Sequence, residues 1–123
     1  MKFRSIIAVV AGLAALAMVT TVRAEQKTEK VIDNDTFRFL KITYPPGEHQ
    51  PALHFAPTKG GSILVALTPG EIEVNFRQNG KTWTEKGHVD VGKVWYLDKT
   101  LEHQFTNIGT KEFVFTSTQI KNE

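Results

Sequence analysis

Residues 71–85 confine this chain to an antiparallel architecture more tightly than any other stretch. Glu71–Arg77 alternates strictly, with Ile72, Val74 and Phe76 on one face and Glu71, Glu73 and Asn75 on the other. That is the period of a strand with one buried side. Asn79-Gly80 follows, and a type I′ turn needs positive φ at both central residues, which these two tolerate at low cost. Lys81–Glu85 is therefore predicted to fold back on Glu71–Arg77.

The rest of the chain repeats the theme. Thr36–Tyr44 is rich in aromatic and β-branched residues, and Ser62–Thr68 is a short apolar run between Gly60-Gly61 and Pro69-Gly70. Further strands are expected at Lys93–Leu97, around His103–Thr106 and at Glu112–Ile120, where Phe113 and Phe115 share a face. No helical period is sustained after residue 30. Short strands between turn signals predict an all-β fold, an antiparallel β-sandwich or barrel.

The N-terminus reads differently. Lys2 and Arg4 precede an apolar run from Ile6 to Val22, which ends on Val22-Arg23-Ala24. This is the pattern of a bacterial-type signal peptide over 1–24, cleaved after Ala24, with a retained membrane anchor as the rival reading. The expected location is outside the cytoplasm, periplasmic or secreted, with no membrane attachment after cleavage. Residues 25–31 begin charged and apolar-free and read as a flexible lead-in to a single domain over 32–123.

Cleavage also changes the charge. The chain has 15 basic and 13 acidic side chains, and the leader removes Lys2, Arg4 and Arg23, so 12 face 13. The basicity belongs to the leader, and a nucleic-acid partner is not supported. With no cysteine, disulfides, thiolate nucleophiles and thiolate metal sites are excluded. No Gly-x-Ser-x-Gly or phosphate-binding loop is present either.

Two segments carry a resemblance. Pro46-Gly47 is followed by Pro51-Ala52-Leu53-His54, and the segment closes on Pro69-Gly70; later come Gly92-Lys-Val-Trp-Tyr-Leu97 and His103-Gln-Phe-Thr-Asn107. Together these resemble the two motifs of small single-domain cupins, which implies a jelly-roll barrel over about residues 32–120. The family's metal is held by two His at i and i+2, a Glu and a His from the second motif. Here the resemblance puts His54 on the first position and His103 on the last. Ala56 takes the second His position, with Pro57 after it, and the Glu position falls near Ile63. Asp98-Lys99-Thr100 stands where a Pro-x-Gly is usual.

A methyl group and an isoleucine donate nothing to a metal, so the ligand set is partly lost. His49 or Glu48 is the candidate third donor beside His54 and His103, which would suit a divalent Fe, Mn, Ni, Cu or Zn ion. Reaching it from His49 needs a bend, because an odd spacing sends the two side chains to opposite faces. Trp95 and Tyr96 are candidate pocket walls, with core packing as the alternative. His88 is expected in solvent, and Asn107 with Gly109 in a turn.

Three functions stay open on these grounds. One is a non-catalytic domain binding a small molecule between His54 and His103. Another is a metal-dependent oxygenase or isomerase. The third is a homodimerisation module using an N-terminal strand around Glu29–Asn34.

Overall fold

A computed structural model describes residues 26–121, and these contain strands and no helix. The strands in chain order are β1 (Lys27–Asp33), β2 (Phe37–Tyr44), β3 (Ser62–Ala66), β4 (Gly70–Gln78), β5 (Lys81–Val89), β6 (Val94–Leu97), β7 (Glu102–Asn107) and β8 (Phe113–Ile120). They form a five-stranded sheet, β1-β2-β8-β3-β6, facing a three-stranded sheet, β5-β4-β7. Every strand pairing is antiparallel. The two-sheet all-β expectation is met.

The hairpin forms as its turn residues require. Asn79 and Gly80 have φ of 53° and 79°, and Gln78 pairs with Lys81 at the turn. The strand continues to Val89, beyond the predicted Glu85. Its outward, polar face hides this extension from a hydropathy reading.

The expected lead-in holds a strand, which overlaps the one expected around Glu29–Asn34 and begins earlier. Residues 27–33 form β1, although every side chain of the strand is exposed. Its backbone pairs with β2 from Lys27↔Thr43 to Asp33↔Arg38, with an irregularity between Lys30 and Ile32. Composition missed it because backbone hydrogen bonds to a formed neighbour need no apolar side chain. The signal-peptide expectation for residues 1–24 lies outside the described residues.

Between the sheets, the alternating inner positions of β3, β4, β7 and β8 supply the core. Phe105 of β7 stacks on Phe115 of β8, with ring centroids 5.8 Å apart. Trp95 meets Phe105 edge-on at 5.4 Å. Fully burying each such ring is worth about 2–3 kcal/mol.

One end of the sandwich is closed by a polar side chain. Asn107 is 1% exposed, and its Nδ2 donates to the carbonyls of Tyr44 at 2.9 Å and Lys111 at 2.8 Å. Its Oδ1 accepts from the Gly109 amide at 2.9 Å. The turn expected at Asn107–Gly109 is present, and it ties both sheets together at that end.

Candidate functional site

The long connection from β2 to β3 is not a free loop. It runs beside β7 and bonds to it as an irregular fourth strand of the smaller sheet. Gly47 N donates to Asn107 O at 2.8 Å, Asn107 N to Glu48 O at 2.9 Å, and Gln50 N to Phe105 O at 3.0 Å. Gln50 also accepts the Phe105 amide on its side chain at 2.7 Å. Further on, His54 N donates to His103 O at 3.1 Å and His103 N returns a bond to His54 O at 2.9 Å.

That reciprocal pair makes the two histidines direct cross-strand neighbours. Their ring centroids lie 4.4 Å apart, inclined by 53°. Both rings line a cavity of about 470 Å³ between the sheets. The convergence implied by the two motifs is therefore present in the structure.

The rings differ in setting. His54 Nδ1 lies 2.9 Å from the Ala52 carbonyl, so this nitrogen carries the hydrogen and donates it. In the neutral ring Nε2 is then left as an acceptor. His103 is 4% exposed. Burial, then the neighbouring His54, lowers its pKa from 6.5 to about 4, with the Leu101 backbone weakly opposing. Tyr44, another wall of the cavity, is pushed up to about 12, mainly by burial. At neutral pH both His103 and Tyr44 are uncharged.

The opposite wall comes from the larger sheet. Ser62 pairs with Gln119 and Leu64 with Ser117 across β3 and β8, while Leu40 of β2 flanks Ser117 on the other side. All five line the cavity. Ser62 follows Gly61, whose φ is +81° and where a Cβ would sit 2.5 Å from the Leu97 carbonyl. Only glycine allows β3 to start so close to β6.

Among the described residues, the buried side-chain atoms without a hydrogen-bond partner are Ser62 Oγ and His103 Nδ1. Ser62 is 2% exposed. Leaving such an atom unpaired costs about 1–3 kcal/mol. Both residues face the same cavity, from opposite sheets.

Other sequence candidates fall elsewhere. Tyr96 is 57% exposed on the outer face of β6, with its hydroxyl donating to Gly60 O at 3.3 Å. Trp95 is buried, but it packs in the core and walls a second cleft beside β5, not the histidine cavity. Adjacent strand residues must face opposite ways, so Trp95 and Tyr96 cannot line one pocket. His49 bridges Thr106 and directs its Nδ1 to Gln50 O at 3.0 Å. It does not line the cavity.

The metal expectation needs the same correction. Among the described residues no group of three His, Cys, Asp or Glu side chains converges to hold an ion. Neither His49 nor Glu48 therefore completes a set with His54 and His103. Ala56 is packed against the core. Ile63 pairs with Tyr96 and Thr118 on the outer face of the larger sheet, so the inward residue is its neighbour Ser62. Two imidazoles and a hydroxyl do not fit the multi-donor centre that the motif resemblance implies.

Sequence reasoning missed Ser62, Ser117 and Gln119. A signal was available: continuing the Phe113, Phe115 alternation by two and four residues puts Ser117 and Gln119 on the buried face.

No protein-family model and no curated protein matches the sequence. Solved structures do match in three dimensions. A cupin domain from Bordetella pertussis superposes with a TM-score of 0.61 at 22% identity, over 83% of this chain and 99% of that one. A predicted oxalate decarboxylase from Thermotoga maritima gives 0.60 at 23% identity, over 81% and 84%. A cupin domain from Schizosaccharomyces pombe gives 0.62 at 18% identity, over 85% and 72%. The chain has the cupin fold. Cupin-fold proteins with differing names share this architecture, so activity has to be argued from the site itself.

Proposed function

We propose that this protein is a non-catalytic binding domain that holds a small, largely apolar molecule in the cavity between its two sheets. The supporting observation is the pairing of a largely apolar cavity with two unpaired buried polar atoms, Ser62 Oγ and His103 Nδ1. A few convergent polar groups in an apolar cleft orient a ligand. The reading carries export with it, on the leader pattern of residues 1–24.

Two measurements on untagged full-length protein test the proposal. Fluorescence of 1-N-phenylnaphthylamine should rise saturably on binding, and the cavity-filling variant Ser117→Phe should lose that response while keeping its β-sheet circular dichroism. Elemental analysis covers the alternative, an oxygenase or isomerase. Near-stoichiometric Fe, Mn, Ni, Cu or Zn, abolished by His54→Ala with His103→Ala, would overturn the binding-domain reading.

A homodimer is a second reading, favoured by β1. This strand is an outer edge of its sheet, and it presents Val31 and Ile32 at 57% and 44% exposure. The unpaired backbone groups of an edge strand are a template for pairing. Sedimentation equilibrium decides it, and a monomer at working concentration removes it.

A further inference from the structure

The geometry points to an uncharged ligand with a polar group on each side of an apolar body, clamped between the imidazole pair on one sheet and Ser62 on the other. The inference rests on the binding reading above and narrows it to a chemical class.

The walls establish the first half. Among the described residues that line the cavity there is no Asp, Glu, Lys or Arg. The Arg38 guanidinium, which touches the lining residue Gln119, is committed: Nη1 donates to Gln119 Oε1 at 2.9 Å and Nε stands 3.6 Å from Asp33. Asp33 in turn is bound by Lys121. An ion seated against these walls would give up hydration with no carboxylate, ammonium or guanidinium beside it, which is costlier than burying a neutral group. Tyr44, held as a phenol, and His103, held as a neutral imidazole, supply no such charge.

The second half follows from strand register. Asn107 bonds to Tyr44, and Tyr44 pairs with Phe113, which marks the closed end. Moving away from it, Phe105 and Phe115 meet face to face. Beyond that stack the alternation brings His103 on β7 and Ser117 then Gln119 on β8. Ser62 lies beside Gln119. The imidazoles and the hydroxyls therefore occupy the same end on facing sheets, with Leu40, Leu64 and Leu97 as the apolar walls. Gln119 Oε1 is taken by Arg38, while Ser62 Oγ has no partner and can donate or accept. With Nδ1 given to the Ala52 carbonyl, His54 keeps Nε2 for a ligand hydroxyl.

Three probes with one skeleton test this at pH 8 by isothermal titration calorimetry on the full chain: 2-naphthalenemethanol, 2-naphthoate and 2-naphthylmethylammonium. The alcohol should bind at least ten-fold tighter than either ion. Ser62→Ala should weaken the alcohol at least three-fold while leaving the melting temperature unchanged or higher, since it removes an unpaired buried atom. Thr116→Ala, on the outer face of β8, should leave binding intact. An ion that binds as tightly as the alcohol, or a Ser62→Ala variant with full affinity, overturns the inference while the binding reading stands. Failure of all three probes overturns both.

Discussion

His103 and Asn107 sit four residues apart on the same face of β7, and burial does not tell them apart at 4% and 1% exposure. Their hydrogen bonding does. Asn107 uses both donor hydrogens and its oxygen on backbone groups of three residues. His103 keeps Nδ1 unpaired beside the cavity. The same strand thus contributes a fastening at one end and an unsatisfied recognition group at the other. A buried polar residue by itself indicates neither; the partner inventory separates them.

The contrast is open to direct attack. Asn107→Ala should be the most damaging change, because it strands the Tyr44 and Lys111 carbonyls and the Gly109 amide. A loss of about 3 kcal/mol is expected, read as a lower urea midpoint. His103→Leu should cost little at neutral pH, since the side chain it removes has an unpaired atom. Comparable losses in both variants would erase the distinction.

Acid sharpens the comparison next. His103 binds its proton near 6.5 when unfolded and only at about 4 when folded. Its contribution is therefore whole above pH 6.5 and is lost as pH falls toward 4, because the unfolded chain takes the proton first. The full loss is on the order of 3 kcal/mol. His103→Leu should flatten that slope, and subtracting the two urea series cancels every other titrating group.

The smallest effect should come from a histidine of opposite sign. His88 is exposed, with Nδ1 2.7 Å from Glu71 and Nε2 3.1 Å from Asp90. The Glu71 hydrogen bond leads in raising its pKa, with Asp90 adding to it. Its contribution is present below pH 6.5 and is lost as pH rises through the raised folded value. NMR titration should show the His88 ring changing above 6.5 and the His103 ring only near 4. His88→Gln should shift the melting temperature least of the three.

Some of this was legible in residues alone. The alternation of Glu71–Arg77 and the Asn79-Gly80 turn needed only local sterics, and the strands they predicted are in place. His54 and His103 were legible through motif spacing. Ile63 and Tyr96 were not, because a one-residue offset reverses the face of a strand. β1 was legible only as a strand around Glu29–Asn34 and not in its start at Lys27, because its stabilisation comes from the β2 backbone.

What the amino-acid order determined by itself was the kind of element at each position, since φ preferences and side-chain alternation act within a few residues. The tertiary structure alone decided that Ser62 takes the inward place beside Ile63, and that Asn107 is satisfied while His103 is not. Those outcomes depend on hydrogen bonds and packing between segments tens of residues apart. No local pattern contains them.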